Sequence, residues 1–402
     1  MYVTDVEQMF YRFRVSTKHR DFLRFFWYSE NNPDKDLTEY RMCVHVFGNS
    51  ASPAVATYGL RKAVQTADED VKQFVQRDFY VDDALTSRPT SREAIELLKK
   101  TQTALKKGGN IRLHKVASND LQVLGAFPPE DLGGELKSLD FGTDVLPTQR
   151  SLGLVWDLKK DHFVFSVQLG EKPVTRRGVL SMINSIYDPL GFIAPITITG
   201  KILLREAISS GLDWDVPLST DHVTKWQEWR ESVEKLQTIS IPRMFTQFSY
   251  SLATGVSVSI YSDASEKAIA SVSYLNLTDS EGCVHSGFLL GKAKLAPMKG
   301  HSIPRLELCA AVLSTEIAEI VSVQLDIPLS EMIFYTDSKV VLGYIYNKTR
   351  RFYTYVSNRV ERILNVTRTE QWRYVSTNKN PADLATRCSS VSLDSVWIKD
   401  VS

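Results

Sequence analysis

Tyr80-Val81-Asp82-Asp83 sets two adjacent carboxylates behind an aromatic and a β-branched residue. An apolar pair followed by two Asp predicts a strand running into a tight turn. Such a turn crowds two carboxylates into one small volume, where their mutual repulsion calls for a cation. A hard divalent ion held there polarises a phosphoryl oxygen and steadies an in-line displacement. Taken alone, an adjacent Asp pair is more often plain turn punctuation. A second acidic set downstream strengthens the chemical reading.

That set comprises Asp263 in Tyr261-Ser262-Asp263, Glu307 in Pro304-Arg305-Leu306-Glu307, Asp337 in Thr336-Asp337-Ser338 and Asp383 in Asn380-Pro381-Ala382-Asp383. Asp263 and Asp337 end predicted strands, Glu307 falls in the first turn of a predicted long helix, and Asp383 at a helix start. Strand ends and helix starts at one sheet edge are where ligands gather in such folds. Four carboxylates there suit two Mg²⁺, a pair that activates a water and stabilises a leaving oxygen. Plainer roles exist for each singly: Glu307 and Asp383 as complements to helix dipoles, Asp337 as an N-cap. Their joint occurrence, each at an element boundary, favours the metal-binding reading.

The elements that must position these groups follow from periodicity. Before residue 160, Phe22 to Tyr28 predicts a buried strand, and Phe47-Gly48-Asn49-Ser50-Ala51-Ser52-Pro53 a turn capping a helix over 54–66. An amphipathic helix is predicted from Ser91, its cap, to Lys107, with Gly108-Gly109 ending it. Leu152 to Trp156 predicts another strand. Residues 170–250 read as helical and proline-punctuated, with helices over Val179–Tyr187, Ile202–Ser209 and Trp226–Leu236 broken at Asp188-Pro189-Leu190-Gly191. From about 255 the texture is βββαβα: strands Val256–Tyr261, Ala268–Leu275 and Cys283–Leu290, helix Pro304–Gln324, strand Met332–Tyr335 and helix Ser338–Asn347.

Composition bounds the partners. The 402 residues are 43% hydrophobic, 24% charged and 10% aromatic, which predicts two or three domains and excludes disordered or collagen-like classes. Lys+Arg 48 against Asp+Glu 47 leaves no global field, so any nucleic-acid binding must use local basic surfaces. Residues 348–380 supply one, with eight Lys or Arg, among them Arg350, Arg351 and Arg359, against two Glu. Phe352, Tyr353, Tyr355, Trp372 and Tyr374 are interleaved, a mixture that suits a duplex backbone; the same aromatics also fit a helix face turned into a core. Cys43, Cys283, Cys309 and Cys388 have neither disulfide-framework nor zinc spacing, which favours a reducing compartment. No run of about 18 apolar residues predicts a membrane span, and the start has no signal-peptide pattern.

Residues 256–388 resemble the RNase H fold, and residues 1–160 the palm of a reverse transcriptase. The wording of the whole chain is similar to the Pol polyprotein of BEL/Pao-type LTR retrotransposons, carried by Tyr80-Val-Asp-Asp, by Ser181 to Pro195 and by Asn380-Pro-Ala-Asp-Leu-Ala-Thr-Arg. The resemblance implies that Asp5 and Asp82, with Asp83, hold the palm metals. It gives Phe10 the place under the sugar, Phe47 and Gly48 the loop beside the incoming nucleotide, and Lys115 the protonation of pyrophosphate. Leu152 and Gly153 match the primer-gripping hairpin. Relatives often carry a His on the loop before the last Asp. Residues 375–380 offer none, which bears on product release and on the degree of activity alone. The centre overlaps a region known in such families as a peptidase, yet no Asp-Thr/Ser-Gly supplies a nucleophile.

The expected architecture is therefore α/β (α+β): a palm over 1–165, thumb and connection over 166–250, and an RNase H-like domain over 255–390. Tyr2 to Val6 already reads as a strand entering an acidic site, so a fragment without fingers, and little unaided polymerisation, is expected. The implied activities are RNA-directed DNA polymerase (nucleotidyltransferase) and ribonuclease H (endonuclease), each using two Mg²⁺ or Mn²⁺. The implied partners are primer-template, dNTPs and RNA–DNA hybrid, and the implied location is the cytoplasm, in a retroelement particle, or the nucleus. The alternatives are a non-catalytic nucleic-acid-binding remnant and, behind it, an aspartic-type peptidase.

Overall fold

In the computed structural model, Tyr2, Val3, Thr4 and Val6 are all buried, because β1 (Tyr2–Val6) runs between two partner strands. The structure describes residues 1–139, 146–151, 154–165, 170, 172–209, 211, 213–298, 301–387 and 397–398. They fall into two units, Met1–Phe163 and Val164–Ser402.

In the first unit, a hairpin of β2 (Arg24–Tyr28) and β3 (Leu37–Arg41) leads to α1 (Ser52–Ala63) and α2 (Glu69–Arg77). Then come β4 (Phe79–Tyr80), β5 (Asp83–Thr86), α3 (Ser91–Gly109), β6 (Leu113–Ser118) and α4 (Leu121–Gly125). The sheet order is β4-β5-β1-β6, with β1 antiparallel to both neighbours. Leu60, Phe74, Leu98 and Leu105 from the three long helices share one core with Tyr2 and Val6, each contributing about 1.5–3 kcal/mol by burial. Gly108 is needed where α3 crosses the end of α1: a Cβ there would lie 1.9 Å from the Ala63 carbonyl oxygen. β7 (Thr148–Ser151) and β8 (Leu154–Asp157) pair antiparallel, and β9 (His162–Val164) follows.

Three expectations are corrected in this unit. The Phe22–Tyr28 segment is a strand only from Arg24 and is not buried: Phe26 is 68% and Trp27 51% exposed. Among the described residues β2 pairs with β3 alone, and such a two-stranded ribbon leaves its faces open. The long helix is capped by Thr90, whose hydroxyl accepts from Glu93 N–H, rather than by Ser91. Gly108 and Gly109 lie inside it, and Asn110 makes the left-handed exit with φ 50°, a conformation Asn tolerates better than most residues.

The second unit begins with α5 (Arg176–Ser185), α6 (Ala194–Ser209) and α7 (Thr220–Glu234), followed by β10 (Ser240–Pro242). α6 starts eight residues before the expected Ile202, and Asp188 braces the turn that leads into it. Its carboxylate accepts from Phe192 and Ile193 N–H at 2.9 Å each, and burial pushes its pKa up to about 6. Gly191, at φ +79°, lies against the sheet; a Cβ there would stand 1.8 Å from the Gly291 carbonyl oxygen. The Asp188-Pro189-Leu190-Gly191 phrase is thus a braced turn and a docking loop.

β11 (Gly255–Ala264), β12 (Ala268–Thr278), β13 (Val284–Leu295), β14 (Met332–Thr336) and β15 (Trp372–Tyr374) form one sheet in the order β13-β12-β11-β14-β15. β11 is antiparallel to β12 and parallel to β14. α8 (Ile303–Leu325) covers one face through Leu308, Ala311 and Ile317, packed with Val258, Ile260 and Phe334. α6 covers part of the other through Ile198 and Ile202 against Ala268. α9 (Lys339–Ile345) follows β14, and α10 (Thr354–Val366) was not anticipated as a helix. Its apolar signal is brief, Val356, Val360 and Ile363 alone being buried, and its charges dominated the reading.

Candidate active site

β11 and β14 run in parallel register with Ser262 opposite Thr336. Asp263 follows Ser262 within β11 and Asp337 follows Thr336 just past β14, so the two acids stand on neighbouring strands at one end of the sheet, about 4.8 Å apart in backbone spacing. Glu307 comes from α8 and Asp383 from the short 3-10 helix Pro381–Ala385. The negative charge of Asp337 raises the pKa of Asp263, Glu307 and Asp383 alike, so all four carboxyls share one field. For each of the three, burial is the larger cause, and Asp263, the most enclosed, is pushed up to about 7.

Hydroxyls hold three of these acids. Thr386 Oγ1 donates to Asp263 Oδ2. Ser338 Oγ donates to Glu307 Oε2 at 2.5 Å, and Thr377 Oγ1 to Asp337 Oδ2 at 2.7 Å. Arg387 Nε donates to Asp383 Oδ1 at 2.6 Å. Asn380 ties the last loop to the first strand: its Nδ2 donates to the Ser262 carbonyl at 3.0 Å, and its Oδ1 accepts from Ala382 N–H at 3.2 Å. Ser338, Thr377 and Thr386 were missed as site residues. Only Asp383 and Arg387, at i,i+4, left a readable helical spacing.

Two plainer roles fall away. The N-cap of α9 is Ser338, whose Oγ accepts from Val341 N–H, and not Asp337. Glu307 is not in the first turn of α8, because the helix already starts at Ile303, and the helix-dipole effect fades within the first turn. All four donors are hard oxygens, a set that fits Mg²⁺ or Mn²⁺ rather than a soft ion. Among the described residues, no group of three or more His, Cys, Asp or Glu stands drawn together to hold an ion.

In the first unit, Asp5 on β1 lies directly opposite Asp83 on β5, and Val81 and Asp82 form the turn between β4 and β5. Val6 N–H donates to the Asp82 carbonyl at 2.9 Å. Val81 adopts φ +56°, a strained conformation for a β-branched residue. A register shift on β6, with Val3 opposite Ala117 but Asp5 opposite His114, leaves Lys115 in a bulge at φ +54°. Lys115 Nζ then meets Asp5 Oδ2 at 2.9 Å, and that bond is the main reason its pKa is raised. Phe10 and Phe47 meet edge to face at 4.8 Å between ring centroids, and Gly48 follows at φ +81°. Leu152 and Gly153 lie outside the described residues.

Of the basic residues, Arg350 and Arg351 are exposed and, with Phe352, line a cavity of about 570 Å³. Arg359 packs its guanidinium on Tyr355, 3.5 Å from the ring centroid. The interleaved aromatics divide: Trp372 is buried, whereas Tyr353 and Tyr374 are exposed.

Residues 175–338 match the family described as Pao retrotransposon-like RNaseH-like domain. The match supports a BEL/Pao retrotransposon Pol-type protein with a nucleic-acid-processing role of nuclease type. The matched residues run from α5 through β14 and stop before α9, α10 and Asp383. No curated protein matches the chain.

Proposed function

We propose that this chain, with its Pao-type RNase H-like segment, uses its second unit to hydrolyse the RNA strand of RNA–DNA hybrids. What supports this reading is that Asp263 and Asp337 lie on neighbouring parallel strands, that Ser338, next to Asp337, holds Glu307, and that the charge of Asp337 reaches Asp263, Glu307 and Asp383. When bound by these carboxylates, Mg²⁺ or Mn²⁺ supplies Lewis-acid stabilisation of the phosphoryl oxygens. The chain's own residues prepare that chemistry. Thr386, Ser338 and Thr377 fix one oxygen each of Asp263, Glu307 and Asp337, and Asn380 holds the loop carrying Asp383 beside β11. Hybrid is read by shape and 2′-hydroxyls rather than by base sequence.

The test is incubation with labelled RNA–DNA hybrid and Mg²⁺, beside Asp263→Asn and Asp337→Asn. Cleavage of the RNA strand by the parent chain, lost in both variants, is expected. No metal-dependent cleavage by the parent overturns the proposal.

A second reading concerns the first unit. The facing of Asp5 and Asp83, with Asp82 at the turn, supports a palm-type site for nucleotidyl transfer. Primer extension from dNTPs, with Asp82→Asn as control, tests it. Extension abolished by the substitution supports a polymerase palm, and its absence in the parent overturns it for this chain.

A further inference from the structure

α5 opens on a buried arginine that no acid of the described residues neutralises. Arg176, its first residue, is only 9% exposed, and its Nε is sealed from solvent without a hydrogen-bond partner. The guanidinium lies over the Trp214 ring, 4.7 Å from the centroid. Arg177, by contrast, is exposed and donates from Nε and Nη2 to Asp215 at 2.8 and 3.0 Å.

Trp214 is itself fixed at the start of the helix, because its carbonyl accepts from Arg177 N–H at 3.1 Å. Leu218 N–H ties the same segment to the Val174 carbonyl at 3.0 Å. Arg176, laid on that indole, is thereby held at the first turn. Thr175 Oγ1 accepts from Gly178 N–H at 3.2 Å, which leaves its own hydroxyl proton to offer. The N–H of Arg176 is one of the first-turn donors that a helix cannot satisfy internally. The two acids of the adjoining segment are engaged: Asp215 by Arg177, and Asp213 by Trp214 N–H at 2.7 Å.

We infer that this turn is a seat for one small oxyanion of the phosphate class, held between the Arg176 guanidinium and the start of α5. A buried cation without a counter-charge is costly where water is excluded, and an anion removes that cost. The helix start offers the same anion N–H groups and the positive end of its dipole. A guanidinium laid on an aromatic keeps its fork preorganised for two oxygens. Enclosure selects by size: a side chain nine-tenths covered admits a free oxyanion and not the backbone of a duplex. The seat is independent of the chemistry proposed for the four acids.

The experiment dialyses the full chain against labelled inorganic phosphate in EDTA at constant ionic strength, and follows the thermal midpoint in the same buffers. About one phosphate should bind per chain, and the midpoint should rise with phosphate. Arg176→Met keeps an unbranched side chain without the charge. It should bind at least about tenfold more weakly, as expected from losing charge-assisted hydrogen bonds, and lose the rise. Arg177→Met should keep both.

A parent that binds no phosphate, with a midpoint that ignores it, overturns the seat whatever the variants do. An equal rise in Arg176→Met overturns it as well. A DNA oligonucleotide at the same phosphate concentration should leave the label in place. Displacement would assign the contact to a nucleic-acid backbone and overturn a seat for a small anion.

Discussion

Asp263, in β11, and Asp337, just past β14, stand at the same level on neighbouring parallel strands, one residue beyond the Ser262–Thr336 pair. Burial raises the pKa of Asp263, and the charge on Asp337 adds to that rise. Two carboxylates so placed favour a bound cation and disfavour the empty, fully ionised site.

The first prediction concerns stability against pH without divalent ions. The folded pKa of Asp263 is raised from 3.8 to about 7, so between these values the native state binds a proton that the unfolded state releases. Stability therefore falls as pH rises from about 4 to about 7, by at most on the order of 4 kcal/mol. Thermal midpoints in EDTA should drop over this window in the parent and drop less in Asp263→Asn. An equal drop in both refutes the assignment to Asp263.

Thr386 tests positioning. Thr386→Val removes the hydroxyl donated to Asp263 while keeping the shape. Hybrid cleavage should fall roughly tenfold or more, as expected from losing a hydrogen bond to a charged group, and Thr386→Ser should restore most of it. A valine variant with the parent's rate removes Thr386 from the site.

Gly191→Ala should cost several kcal/mol, since φ +79° and the nearby Gly291 carbonyl both exclude a Cβ. Urea unfolding checks it: a midpoint equal to the parent's would show that the docking loop yields freely.

Val81→Gly should do the reverse. Relief of the left-handed strain at φ +56° outweighs the added freedom of glycine, for a net gain of about 1 kcal/mol. Slower hydrogen exchange at Phe79–Thr86 is the expected signature, and faster exchange contradicts it.

The exposed ribbon gives the last contrast. Phe26→Ser should change stability by less than about 0.5 kcal/mol, as at other open surface positions. Phe74→Ala, in the core, should cost about 3–5 kcal/mol. A large loss at Phe26 would mean that another surface covers the ribbon in solution.

The sequence carried the sheet of the second unit well, because β14 alternates buried and half-buried residues and an acid stands beside the end of both β11 and β14. Asp263, Asp337 and Asp383 were legible for that reason. Thr386, Ser338 and Thr377 were not, since a hydroxyl's partner depends on where the chain returns: Thr386 lies 123 positions from Asp263. The apolar run Phe25-Phe26-Trp27 misled, because hydrophobicity predicts burial only when another layer arrives to cover it. α10 was hidden by a narrow apolar stripe beneath many charges.

Asn380 has one more consequence, for chemical durability. Its amide bridges the Ser262 carbonyl and Ala382 N–H, so conversion to Asp would remove the donor and add a negative charge beside Asp263. The usual route of that ageing is attack by the backbone nitrogen of the next residue, closing a succinimide. Here the next residue is Pro381, whose nitrogen bears no hydrogen, and that route is closed. The proline that starts the last helical turn thereby also protects the amide that holds the fourth acid in place.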